Sequence, residues 1–433
     1  MARLARVMGW PLAVVTFLDV VFVRAFHGDI TNDFKPVHAA AAAFLHHRPV
    51  YSEDLSMVDP HYLYGPGATL LLSPLGLLPQ SSAREVFVLA NALAIIAATH
   101  LLLNLFGYTI RSVITPLCYA AVFASETVVN TLTFGNINGF TFLAEMAFLW
   151  LLLRRRDLTA GIVLGLTITV KPILAPLLLI AAARRQWHTI AAAIAVPVAI
   201  TALAWPISVD PLTYLRHTLP YSLQARDYFN SSIAGTGLYY GIPPLMTLAV
   251  RVLLAVIVAI SLWLLYRYYS HEEVLFVCTA AGVLMTAEFT LSTLGQQYYS
   301  MFIFPLLMTI VVPGSVVRNW PAWVAVFGFT TYDKWLLDHW PDKGRDLEYL
   351  RITLGWTLLL IVVFCVLTDR YLSTRRREHQ FLTDKTPHQP AMIPYPEEPS
   401  RRRVDHAPIR HPGPTSPSIR RRSPGDIPTT AGN

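Results

Sequence analysis

Apolar positions along this 433-residue chain come in unbroken blocks rather than in the one-sided stripes of soluble helices. About twenty helical residues cover the ~30 Å hydrocarbon layer of a bilayer, and most of the blocks approach that length. The pattern predicts ten crossings, at residues 8–26, 84–107, 110–128, 137–153, 188–208, 243–267, 272–291, 299–312, 319–336 and 351–371. Two further apolar stretches are irregular. Residues 64–80, "YGPGATLLLSPLGLLPQ", are short and broken by Pro66, Pro74 and Pro79. Residues 159–185 are long enough to cross, but Lys171-Pro172 and Pro176 interrupt their middle.

Charge decides how these pieces thread. Arg154 to Arg156 precede the second irregular stretch, and Arg184 and Arg185 end it. Short basic loops stay cytoplasmic. Residues 159–185 are therefore expected to enter and return as a broken hairpin, with the Lys171-Pro172 turn toward the outer side. With 64–80 also non-spanning, Arg3, Arg6, Arg84, Arg111, Arg267, Arg318 and Arg375 to Arg377 join the cytoplasmic set. Residues 27–83, 129–136, 209–242, 292–298 and 337–350 then face outward. Non-helical backbone at membrane depth survives only when buried in protein or lining a cavity. The two proline-broken stretches thus predict an internal cavity that opens outward. The N-terminus has the basic-then-apolar look of a signal peptide. Asp19 and Arg24 interrupt it and no small-residue cleavage site follows, so it reads as a first span.

Composition agrees. Hydrophobic residues make up 54% and charged residues 14%, against about 25% charged in soluble domains. The expected fold class is all-α and polytopic, with short interfacial helices. The formal charge of +7 sits largely in short loops and the C-terminal stretch, leaving no compact basic domain for a nucleic acid. Cys118, Cys278 and Cys365 all fall inside apolar runs, and no CxxC or histidine cluster offers metal-ligand spacing. Residues 373–433 are rich in Pro, Arg and Ser and read as a disordered cytoplasmic tail, leaving 1–372 as the membrane domain. Membrane lipids are the partners of such a chain, and its arginine runs could touch anionic headgroups.

The polar groups gather in the outward loops. "GDITNDFKPVH" places Asp29, Asp33 and Lys35 where the first span ends, and "HAAAAAFLHH" follows as a short interfacial helix. Asp59 opens "DPHYLYGPG", with His61 and Tyr64, on the same side. Carboxylates beside a cavity could act as a general base, although a lone Asp is by default a solvated loop residue. Lys171, inside an apolar run, is costly and so a functional candidate that could pair with a phosphate; the plain alternative is snorkelling. "FGNINGF" offers Asn136 and Asn138, as helix caps or as ligands for hydroxyls. "RDYFNSS" brings Arg226 and Asn230, and "GQQYYS" brings Gln297 and Tyr298. Aromatic faces beside amides and hydroxyls suit sugar rings, whereas single tyrosines are ordinary membrane-belt anchors.

Four segments carry a resemblance: "NDFKPVHAAAAAF…YSEDLSMVDPHYLYGPGATLLLSPLGLLP", "FGNINGFTFL", "GLTITVKPILAPLLL" and "RDYFNSSIAGTGLYYG". Together they resemble glycosyltransferase family 87, polyprenyl-phosphate-sugar-dependent enzymes of the GT-C fold, and within it the α-(1→3)-arabinofuranosyltransferases of mycobacteria and other actinobacteria. The match runs from about residue 20 to 372. It departs at Gly65, where proline is expected, and at His38, where tyrosine is common.

The resemblance implies a pentosyltransferase of the plasma membrane, working in cell wall biogenesis, with its active site on the extracytoplasmic side. It implies Asp33 as the base. It implies decaprenyl-phosphoryl-β-D-arabinofuranose as donor and the arabinan of arabinogalactan or lipoarabinomannan as acceptor, with inversion at the anomeric carbon. Lys171, helped by Lys35 or Arg226, would hold the departing phosphate. Asp29, Asp59, His61, Tyr64, Asn136, Asn138, Asn230, Gln297 and Tyr298 would meet sugar. A neutralised phosphate is a competent leaving group, so no metal or other cofactor is expected. Three alternatives stay open: a mannosyltransferase using polyprenyl-phosphate mannose, a lipid-sugar flippase or transporter, and a non-catalytic partner of a wall-synthesis complex.

Overall fold

The structure, a computed structural model, describes residues 2–27, 33–57, 60–332 and 339–384. Helix α1 (Ala2–Leu18) runs into a π-helical segment, Asp19–Ala25. A π register aligns residues five apart. Asp19 and Arg24 use that spacing, with Nε 2.8 Å from Oδ2, so the two charges in the first apolar run neutralise each other. The short helices α2 (Phe34–Leu45) and α3 (Pro66–Leu72) follow, and a 3-10 turn, Ser73–Leu77, extends α3. Next come α4 (Gln80–Leu105), α5 (Ile114–Ala124), α6 (Glu126–Thr133) and α7 (Asn138–Leu153). The predicted hairpin forms from α8 (Asp157–Val170), a 3-10 turn at Pro172–Leu177 and α9 (Leu178–Ala183). Then come α10 (Trp187–Ala204), the short α11 (Leu219–Ser222) and α12 (Ile233–Tyr239), and the long α13 (Pro244–Tyr269) and α14 (Glu273–Leu291). A composite element joins two 3-10 turns, Gln297–Ile303 and Thr309–Val311, around α15 (Phe304–Met308). Helices α16 (Trp320–Thr330) and α17 (Pro341–Asp384) complete the chain.

No strand occurs among the described residues. Among the described residues, six helices are long and apolar enough to cross a bilayer: Val7–Ala25, Gln80–Leu105, Trp187–Ala204, Pro244–Tyr269, Glu273–Leu291 and Asp346–Arg377. The chain is a polytopic, all-α membrane protein.

In lipid, helices gain little from burying apolar surface against each other, so close backbone approach takes over. The hairpin shows this. Gly161 and Gly165, four apart on α8, face α10, and the two helices pack along their length. A Cβ at Gly161 would lie 2.6 Å from Ala192 Cβ, and one at Gly165 would lie 2.8 Å from Val196 Cβ. Helices α16 and α17 meet in the same way, with a Cβ on Gly328 only 3.0 Å from Gly355 Cα.

The bundle has two chemically distinct ends. At one, Arg155 Nη1 donates to Arg184 O at 3.0 Å, Arg184 pairs with Glu273 at 3.2 Å, and Gln186 Nε2 donates to Leu152 O at 2.9 Å. Both arginine clusters therefore share an end, as a returning hairpin requires. Arg370 caps the same end by donating to Gly314 O and Ser315 O. The other end carries the Lys171 turn.

Several expectations need correction. Arg84 lies at the Lys171 end, not with the other arginines, because its Nη2 donates to Ala25 O and Thr133 O at 2.9 Å each. Unsatisfied helix-end carbonyls consume its charge. The span expected at 110–128 is two helices, broken where Ser125 turns extended (φ −69°, ψ 134°), and it reaches Thr133. The outward loop expected over 337–350 is helical from Pro341, and α17 continues to Asp384, past the expected tail start at 373. No proline interrupts residues 342–384, so the helix simply continues. Residues 385–433 lie outside the described residues.

Replacing Gly161 with leucine is expected to cost about 1–3 kcal/mol by overpacking the α8–α10 contact. A lower thermal midpoint in detergent would show this, and an unchanged midpoint would place the α8–α10 interface elsewhere.

Candidate active site

Asp33 occupies the turn before α2 (φ −60°, ψ −19°), and its neighbour Phe34 is fully buried. The Phe34 ring lies 5.0 Å from Phe87 on α4 and 5.8 Å from His38. His38 in turn sits 2.9 Å from Leu78 O through Nε2. Helix α2 lies so tightly on the turn after α3 that a Cβ on Gly76 would fall 2.6 Å from Ala42 N. Close packing of α2 thus fixes where the Asp33 carboxylate points.

Its partners come from remote segments. Helix α6 ends at Thr133, and Gly135 adopts φ +63°, with Gly135 N bonded to Leu132 O and Asn136 N to Thr131 O. This is the left-handed glycine closure of a helix end. It turns the chain so that Asn136 faces Asp33, with Nδ2 donating to Oδ2 at 2.8 Å. The other end of the same amide, Oδ1, accepts from Asn138 N at 3.2 Å and from Lys171 Nζ at 3.5 Å.

Lys171 ends α8 with extended backbone (φ −143°, ψ 104°). The α conformation is disfavoured before proline, so Pro172 stops the helix there. Lys171 is buried, and Nζ donates to Asn138 Oδ1 at 2.7 Å. It also lies 4.5 Å from the Tyr299 ring centre and 5.6 Å from that of Tyr298. A cation over an aromatic face is stabilised by the ring quadrupole, the more so when desolvated. Tyr298 reaches back to the acid, its hydroxyl 3.3 Å from Asp33 Oδ2, and also bonds Gln296 Oε1.

Electrostatics follow from the geometry. Burial pushes the Asp33 carboxyl above the usual carboxylate range. The Asn136 hydrogen bond, the Lys171 charge and the Tyr298 hydroxyl pull it back down without reversing the shift. A carboxylate made more basic in this way is better matched to taking a proton near neutral pH.

The remaining candidates divide. Tyr64 faces the acid within electrostatic reach, its ring edge-on to Tyr62 at 5.4 Å. Arg226 lies within electrostatic reach of Tyr299, with Nη1 donating to Tyr221 OH at 3.0 Å and its guanidinium over that ring at 4.8 Å. His61 sits edge-on to Tyr221 at 5.6 Å, and Nε2 bonds Met57 O. Lys35 is exposed on α2 and makes no hydrogen bond or ion pair with the described residues.

Gln297 is committed elsewhere: Oε1 accepts from Asn130 Nδ2 at 2.8 Å, and Nε2 donates to Thr331 O at 2.9 Å. Asn230 is committed too. Its Nδ2 donates to Arg226 O and Thr293 O, and its Oδ1 accepts from Ser232 N and Gly295 N. It stitches two loops together rather than offering groups to a ligand. Asp29 and Asp59 lie outside the described residues. Sequence reasoning passed over Tyr299, the neighbour of a residue it chose. Two consecutive tyrosines after a pair of glutamines were the available signal.

A buried ammonium, a half-buried carboxylate and two tyrosines form one constellation able to serve both ends of a transfer reaction. The glycosyltransferase family 87 model matches residues 62–293. The chain belongs to glycosyltransferase family 87. It is 48% identical to the α-(1→3)-arabinofuranosyltransferase of Mycolicibacterium smegmatis, over 87% of this chain and 88% of that protein. The protein of the same name from Mycobacterium tuberculosis strain H37Rv is also 48% identical, over 86% and 87%. That of Corynebacterium glutamicum is 40% identical, over 82% and 86%. No solved structure matches the chain. This family 87 enzyme is thus a glycosyltransferase embedded in a membrane, needing a sugar donor and a glycan acceptor.

Asn230→Ala removes four hydrogen bonds at once. Net contributions of about 0.5–1.5 kcal/mol each predict a clearly lower thermal midpoint. A midpoint equal to wild type would free Asn230 for a ligand role.

Proposed function

We propose that the enzyme transfers an arabinofuranosyl unit from decaprenyl-phosphoryl-β-D-arabinofuranose to the 3-hydroxyl of an arabinan chain, forming an α-(1→3) link with inversion. The acceptor is the arabinan of arabinogalactan or lipoarabinomannan. The observation that carries this reading is the hydrogen-bonded line Asp33–Asn136–Lys171, which sets a base and a cation a single amide apart. The names of the relatives supply the sugar and the linkage.

In the step itself, Asp33 takes the proton from the acceptor 3-hydroxyl. The freed electron pair forms the bond to C1 of the donor. The bond from C1 to the phosphate oxygen breaks on the opposite face, and its electron pair leaves with the polyprenyl phosphate. Lys171 neutralises that leaving group, and Arg226 adds a second positive charge. Attack opposite the leaving group converts a β donor into an α product. His61 and the tyrosines around Asp33 offer faces and hydroxyls to the furanose rings. The Asp33 end faces the extracytoplasmic side of the plasma membrane, opposite the arginine-rich end, in keeping with the positive-inside rule.

Asp33→Asn keeps the shape and removes the base. Transfer of label from lipid-linked arabinose to an oligoarabinoside by the purified protein is expected to fall by about 10²–10⁴-fold. Donor binding should persist. Near wild-type turnover would remove Asp33 from this role and pass it to Asp29, Asp59 or Asp333.

A further inference from the structure

Asn136 was a candidate sugar ligand by residue type, but its contacts point to a different task. Its side chain has two unlike ends, and each already has an electrostatically matched partner. The carbonyl end meets a cation and a peptide N–H, and the amino end meets a carboxylate. A flipped amide would set its oxygen against the carboxylate and its amino group against the ammonium. Both contacts would be repulsive, so Lys171 and the Asn138 N–H together dictate which way the amide faces.

The second donor to Asp33, a hydroxyl, is less committed. Tyr298 carries one hydroxyl proton and stands beside two acceptors, Asp33 Oδ2 at 3.3 Å and Gln296 Oε1 at a shorter distance. The Asn136 amino group is therefore the firm partner of Oδ2. Oδ1 of Asp33 accepts no hydrogen bond among the described residues. We propose that Asn136 is a positioning residue: it ties down Oδ2 and thereby reserves Oδ1 of Asp33 for the proton of the acceptor hydroxyl. This rests on the assignment of Asp33 as base and deepens it.

Three features make this a site property rather than generic packing. Asn136 is held by a helix-end turn that needs the left-handed Gly135. It is buried, so its hydrogen bonds do not compete with bulk water. It also links the acid, which serves the acceptor, to the lysine, which serves the donor. The groups facing Asp33 are Lys171 from the end of α8, Tyr64 from the first loop, and Tyr298 and Tyr299 from the 3-10 turn at Gln297–Ile303. Lys35, on the helix that Asp33 precedes, is exposed. None of these can supply a second amide donor to the carboxylate.

The test is a pH series of kcat and KM for Asn136→Ala, using the full-length protein, lipid-linked arabinose and an oligoarabinoside. A mispositioned base should lower kcat on the order of tenfold or more, with both KM values unchanged. The sign of the pH effect is also fixed. The Asn136 hydrogen bond holds the Asp33 carboxyl down, so its loss raises the carboxyl further. The free base is lost as pH falls, so the acid limb of kcat/KM should move to higher pH. Asn136→Leu, close to asparagine in shape, serves if the alanine variant fails to fold. It removes the donor to Oδ2 without adding a charge, leaves Asn138 Oδ1 for Lys171, and should shift the limb the same way. A raised acceptor KM with unchanged kcat would make Asn136 a sugar contact and overturn the proposal, as would an unmoved acid limb. Asp33→Asn run alongside separates the two readings. If it retains turnover, the assignment of the base fails. If it is inactive while Asn136→Ala behaves as wild type, only the positioning role fails.

Discussion

One ammonium buried among apolar helices organises this protein. Lys171 sits at membrane depth by sequence, where a bare charge is costly. It is tolerated because two asparagine carbonyls and a tyrosine face surround it. Each of those groups requires a specific break in regular structure. Pro172 ends α8 at the lysine, Gly135 reverses the chain after α6, and a 3-10 turn after Gln296 brings in the tyrosines. Four departures from the ideal helix, counting the turn before α2, converge on one place, and the acid completes it.

The packing that supports this centre uses the ordinary physics of membrane helices. The Gly161 and Gly165 pair lets the broken hairpin lie directly on α10, which sets the depth of its turn. Gly76 lets α2 rest on the turn after α3, which sets the height of Asp33. None of these three glycines is among the residues of the site, yet the α8 pair holds one side of it and Gly76 the other.

Much of the fold was legible in the sequence because bilayer thickness and the placement of basic residues leave few threadings. The hairpin at 159–185 followed from two arginine clusters, and the Arg155–Arg184 bond now joins them. Arg84 misled for a reason that charge counting cannot see: its guanidinium serves two helix-end carbonyls. The acid and the lysine were visible as costly residues in suggestive places. Their connection was not, since Asn136 is 103 residues from Asp33 and Tyr298 is 265 from it. Residue type did not reveal that Asn230 and Gln297 bond to protein groups, because amides that suit sugars suit loop carbonyls equally well. Only the partners distinguish the two uses.

Acid and cation acting on opposite ends of one displacement is the central claim, and a map of the protein with its lipid-phosphate donor bound tests it most directly. The account predicts the phosphate within hydrogen-bond reach of Lys171 Nζ, with the sugar's C1 turned toward the open oxygen of Asp33. A phosphate bound away from Lys171, or a sugar held on the far side of the bundle from Asp33, would contradict it.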